Sequence, residues 1–155
     1  MITLIVLAGI FTLVLFLQKF FSRKVNIGAA GRIAMSSMLV FTGIGHFTYM
    51  EGMMMMLPAF IPFKQEVIIL TGLLEILAAI TLLIPRSQKL TSILLIIFFI
   101  ALLPANIHAA LNQVNLQTAD FTGNGASYLW FRVPLQLLFI AWVWYFGYMD
   151  SKRKE

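Results

Sequence analysis

Long apolar runs broken by short polar stretches dominate this chain. Five of them, Ile2 to Phe21, Ala29 to Met50, Val67 to Ile84, Leu90 to Leu111 and Tyr128 to Met149, approach the ~20 residues a helix needs to cross the hydrocarbon core of a bilayer. They predict an all-α, polytopic transmembrane helical bundle. Residues 1–27 read as an N-terminal transmembrane helix with a basic inner loop, and 28–155 as a four-helix transmembrane domain with a short basic tail.

The charges give the bundle a direction. Lys19, Arg23, Lys24 and Arg32 flank the first junction, Arg86 and Lys89 another, and Lys152, Arg153 and Lys154 the tail, whereas the opposite loops hold only Lys64. The N-terminus is expected outside and the C-terminus inside, and an odd number of spans agrees with termini on opposite sides. The first run lacks a basic leading region and exceeds the apolar length of a signal peptide, so it reads as a retained span.

Composition narrows the functional classes. With 61% hydrophobic and 11% charged residues, and a mean hydropathy of +0.93, the chain holds more apolar surface than a soluble fold of 155 residues can bury. The net charge of +5 is spread over three inner-face clusters, which points to anionic lipid rather than nucleic acid. The absence of cysteine excludes thiol–disulfide chemistry and thiolate metal sites.

Two connections are longer. Glu51 to Lys64 contains four consecutive methionines and then Pro58 and Pro62, and is expected to lie irregularly at the interface or fold back over the bundle. Its methionines form an adaptable apolar surface. Asn112 to Ser127, with Asp120, Gly123, Asn124 and Gly125, reads as a solvated, turn-rich loop.

Candidate chemistry lies in polar groups within the apolar runs. Glu75 falls about halfway across the third run at ~1.5 Å per residue. An ionisable group there costs about 2.5–3.5 kcal/mol to insert, so a partner or a role is expected. Arg132 and Gln136 are four residues apart on one helical face and are expected to reach Glu75. An Arg132–Glu75 pair would pin two helices or form the floor of a site.

In the fourth run, Asn106 and His108 are about 200° apart around a helix, so they face different partners. Asn106 is assigned to the bundle interior, and His108 is a candidate for lining a site. Pro104 leaves the Ile100 carbonyl without its helical donor, and Pro134 does the same in the fifth run. Kinks there are expected to open an outward-facing cavity. His46 closes the second run in Gly43-Ile44-Gly45-His46, where the glycines permit close helix approach. The spacing of His46, His108, Glu51 and Glu75 matches no zinc or di-iron pattern, and no metal site is expected. No phosphate loop, nucleophile elbow or haem-attachment motif is present.

The order of several motifs resembles the DoxX-like family of small bacterial membrane proteins. They are Arg32, Gly43 to Phe47, the proline-rich loop, Thr71-Gly72-Leu73-Leu74-Glu75, Leu82 to Arg86, Pro104-Ala105-Asn106-Ile107 and Phe131-Arg132-Val133-Pro134-Leu135-Gln136. The resemblance spans about Gly31 to Tyr145. It implies a four-helix transmembrane core with the first span added, in the bacterial inner membrane, and it imports no reaction.

Two functions follow as expectations. One is a binding or accessory protein whose outward-facing polar cavity takes a lipid, a quinone or a partner helix. Glu75, Arg132 and Gln136 would form its floor, with Asn106 and His46 nearby. The other is the membrane subunit of a quinone-linked oxidoreductase, in which Glu75 or a histidine relays protons and Trp130, Phe131 and Trp142 line a quinone slot. Trp144 and Tyr145 read as inner interface anchors.

Overall fold

The computed structural model describes residues 2–22 and 25–152. Helices account for its regular structure: α1 (Ile2–Leu17), α2 (Ile27–Thr48), α3 (Met50–Met56), α4 (Lys64–Thr81), α5 (Gln88–Leu111), α6 (Leu129–Trp142) and a closing turn, α7 (Asp150–Lys152). A π-helical turn, Gln18–Ser22, extends α1, a 3-10 turn, Gly125–Tyr128, leads into α6, and a π-helical stretch, Val143–Met149, joins α6 to α7. Among the described residues, extended pairing is limited to one bridge between Asn115 and Asp120.

Local chemistry sets these boundaries. Asn26 caps α2 by accepting from the Ala29 amide at 2.9 Å, while its own amide donates to Gln18 Oε1 at 2.8 Å and ties the end of α1 to the start of α2. The third run is displaced toward the N-terminus: the apolar stretch begins at Val67, but Phe63 adopts a left-handed conformation (φ 52°) after Pro62 and lets Lys64 start the helix. Tight turns from Leu83 to Ile80 and from Ile84 to Thr81 end it before Pro85. The Glu51–Lys64 connection is only partly irregular. Methionine is a good helix former, so α3 forms and stops at Leu57, just before Pro58.

Four rods, Ile2–Phe21, Ile27–Thr48, Gln88–Leu111 and Gly125–Lys152, are long and apolar enough to cross a membrane. The helix of the third run does not join that set, because its 18 residues include Lys64, Glu66 and Glu75.

α2 is the centre of the bundle. It packs along α1 on one side and α4 on another and meets the 143–149 stretch, while α5 lies against α6 and that same stretch. α4 leans on α2 and barely touches α5. Leu7, Met35, Leu39, Ala79, Phe99 and Phe139 bring all five long helices into one core. The outer faces are apolar too, as in Leu70, Leu73, Leu77 and Ile80 of α4 and Ile93, Ile97 and Ile100 of α5, whereas Ser36, Glu75, Ser92 and Gln136 are buried.

Hydrogen bonds to the π-helical stretch hold the starts of α2 and α5 together. Arg32 donates to the Phe146 carbonyl at 3.2 Å and pairs with Asp150, and Gln88 Nε2 donates to the Gly147 carbonyl at 2.7 Å. Trp142 Nε1 donates to the Gly31 carbonyl at 2.9 Å. A Cβ on Gly31 would overlap the Phe146 ring, so glycine permits this approach.

Candidate functional site

The site begins where α2 and α4 come closest. A Cβ on Gly72 would lie 2.8 Å from His46 Cβ, and one on Gly43 would lie 2.7 Å from Ile76 Cγ1 and 3.1 Å from the Gly72 carbonyl oxygen. His46 follows Gly43 by three residues on α2, and Glu75 follows Gly72 by three on α4. In each helix that spacing puts the glycine and the polar group on one face. The two backbones approach at the glycines, and the polar side chains meet beside the contact.

His46 and Glu75 are both buried, with His46 Nδ1 3.8 Å from Glu75 Oε2. That nitrogen is instead 2.9 Å from the Thr42 carbonyl oxygen. A carbonyl only accepts, so Nδ1 carries the proton and donates it to Thr42, leaving Nε2 as the basic nitrogen of the neutral ring. Glu75 Oε2 meets no hydrogen-bond donor. The Thr42 hydroxyl, which donates to the Met38 and Leu39 carbonyls at 3.1 Å each, also stands within reach of the Glu75 carboxyl but leaves Oε2 unpaired.

Arg132 enters from α6 and acts on Glu75 electrostatically, but the two form no ion pair within 4.0 Å among the described residues. The expected direct pair is therefore absent. Arg132 Nε donates to Asn106 Oδ1 at 3.1 Å, and Asn106 Nδ2 donates to the Leu102 carbonyl at 3.0 Å. Asn106 intercepts the guanidinium because it lies buried on the adjacent α5 and offers an acceptor at the height of Nε.

Gln136 also turns away from Glu75. Its Nε2 donates to the Phe99 carbonyl at 2.7 Å, one residue before the Ile100 carbonyl that Pro104 deprives of its helical donor. α5 runs unbroken through Pro104, and α6 through Pro134.

His108 stands apart from this cluster. Its Nδ1 lies 3.0 Å from the Met56 carbonyl, so it donates there and fastens the end of α3 to α5. Among the described residues no group of three or more His, Asp or Glu side chains is arranged to hold a metal ion.

Neither the recess beside Pro134 nor the one beside the start of α5 is lined by Glu75, above which an outward cavity was expected. The recess beside Pro134, of about 190 Å³, lies between α1 and α6, lined by Leu4, Trp130, Phe131, Leu135 and Leu138. The proline kink was expected to open toward the polar cluster, but the recess beside it is walled by Leu4 of α1 and apolar side chains of α6. The expected aromatic slot is also divided. Trp130 is 88% exposed near the start of α6, whereas Trp142 at its end packs edge-on against Phe11 and bonds Gly31. Trp144 is half exposed and stacks on Tyr148, with ring centroids 4.8 Å apart, and Tyr145 is similarly exposed.

Close helix approach at Gly43 was expected, but its partner Gly72 and the Thr42 carbonyl were not singled out as contributors. The Thr42 carbonyl, which fixes the His46 tautomer, leaves no side-chain signal. The approach of Gly43 to Gly72 has one, the repeated spacing of a glycine three residues before a polar group on both helices.

The model of a family described as Domain of unknown function (DUF8561) matches residues 35–147, starting within α2 and leaving α1 outside. No curated protein and no solved structure matches the chain.

Proposed function

We propose, on the premise that this chain belongs to the family described as Domain of unknown function (DUF8561), that it is a multi-pass membrane protein that binds an amphiphile, a lipid or a quinone, at Glu75. The observation that carries this reading is the carboxyl itself: 4% exposed, with one oxygen lacking a donor, inside a bundle whose outer faces are apolar. An unsatisfied buried acceptor costs about 1–3 kcal/mol. A hydroxyl of a lipid head group or of a quinol would supply the missing donor, with Arg132 as nearby positive charge.

The exposed leucines of α4 support counting it as a fifth crossing despite its three charges. The bias of Lys and Arg toward the inner end supports an outside N-terminus and a cytoplasmic C-terminus in a bacterial inner membrane. The order of the DoxX-like motifs along the chain is what supports a DoxX-like core of α2, α4, α5 and α6 with α1 added. The sparse contact between α4 and α5 supports entry of the ligand sideways from the bilayer. A quinone-linked oxidoreductase subunit would use His46 and Glu75 to pass protons, but the division of its aromatic slot leaves the binding reading better supported.

The test is mass spectrometry of organic molecules that co-purify with wild type and with folded Glu75→Gln. One lipid class or a quinone enriched on wild type alone is the expected result. Equal, nonselective lipid on both proteins would assign Glu75 a packing role and exclude this site.

A further inference from the structure

A second feature lies at the inner end, away from the Glu75 cluster. A recess of about 600 Å³ opens beside the first turn of α5, with Arg86, Lys89, Leu90, Ile93 and Ser151 in its wall. That volume is within the range of small-molecule sites. Gln88 is also in its wall, with its amide nitrogen spent on the Gly147 carbonyl. Arg86 is exposed at the rim. The Leu90 amide, in the first turn of α5, has no backbone acceptor among the described residues.

Ser87 does not cap that turn, because its hydroxyl donates to the Thr81 and Ile84 carbonyls at 2.8 and 3.3 Å. The positive end of the helix therefore stays open toward the recess. Ser151 is 8% exposed, faces the recess and has no hydrogen-bond partner among the described residues. The neighbouring acid, Asp150, is paired with Arg32.

We propose that this recess holds the phosphate of an anionic phospholipid. Arg86 and Lys89 supply charge, and the Leu90 amide and the Ser151 hydroxyl donate to the phosphate oxygens. Leu90 and Ile93 continue into Ile97 and Ile100, all exposed on one face of α5, and form the track for an acyl chain. This apolar track selects a lipid over a free phosphate ion. The inference rests on the membrane reading above and is independent of the ligand at Glu75.

The experiment reconstitutes the full chain into vesicles of equal dioleoyl phosphatidylglycerol and dioleoyl phosphatidylcholine, re-extracts it and measures retained lipid by native mass spectrometry. Phosphatidylglycerol is expected to dominate on wild type. Arg86→Gln should weaken its retention about fivefold and Arg86→Gln/Lys89→Gln about 25-fold, from about 1 kcal/mol per basic residue at 1.4 kcal/mol per tenfold. Equal retention of the two lipids, unchanged retention by the double variant, or full displacement by excess inorganic phosphate would each overturn the proposal. Flotation with phosphatidylcholine vesicles separates the two readings: a chain that floats without lipid preference defeats this inference alone, and one that does not float defeats the membrane reading as well.

Discussion

His46 Nδ1 lies 3.8 Å from Glu75 Oε2, yet its proton goes to the Thr42 carbonyl at 2.9 Å. The imidazole is therefore oriented by its own helix and placed beside the acid without satisfying it. An acid held mainly for packing is expected to find a donor, since buried polar groups rarely go unpaired. Glu75 keeps one oxygen unpaired while an imidazole and a guanidinium stand near it, an arrangement suited to receiving a further polar group.

This arrangement depends on Gly72. Gly72→Val would drive a side chain into His46 Cβ and part α2 from α4, at a cost of about 1–3 kcal/mol. Gly45 has nothing within 4 Å of its missing Cβ, so Gly45→Ala should change stability by less than about 1 kcal/mol. Unfolding of the detergent-solubilised proteins measures both. Equal stability of Gly72→Val and wild type would contradict the close helix contact.

The loop between α5 and α6 carries a pH-dependent turn. Asp120 is partly exposed, and the hydroxyl and amide of Thr122 donate to its carboxylate and hold its pKa below the usual 3.8. Because the folded value is depressed, the stabilisation is present above the unfolded value and is lost as pH falls through the folded one. NMR titration of the chain in micelles should show Asp120 titrating below 3.8, with protection of the Thr122 amide falling over the same range. Thr122→Val should move the titration back toward the ordinary value, and an identical curve in that variant would refute the turn.

The long helices were legible because lipid-sized apolar runs leave few alternatives, and the burial of Glu75 was legible because a charge in such a run must face inward. What the side chains bond to was less accessible. Arg132 and Gln136 do share a face of α6, but spacing along one helix cannot reveal that α5 brings the Asn106 oxygen and the Phe99 carbonyl within their reach. Arg32 read as a topology signal, although its carboxylate partner, Asp150, lies 118 positions away. The methionine run looked irregular because of its prolines, yet Pro58 and Pro62 act only after α3 has ended.

The bond from Arg132 to Asn106 makes a prediction that separates it from a simple charge effect. It links α6 to α5 through Nε, while Asn106 is braced by the Leu102 carbonyl. A double-mutant cycle with Arg132→Met and Asn106→Leu should give a coupling of about 0.6–1.7 kcal/mol, the range between typical and strong side-chain hydrogen bonds in membrane bundles. Lysine has a methylene where arginine has Nε, so Arg132→Lys keeps the charge but should lose this coupling. Stability in detergent supplies the cycle, and ligand retention supplies a second readout. If Arg132→Lys preserves retention while abolishing the coupling, Arg132 serves the site through its charge. If both are lost together, positioning by Asn106 is what the site requires.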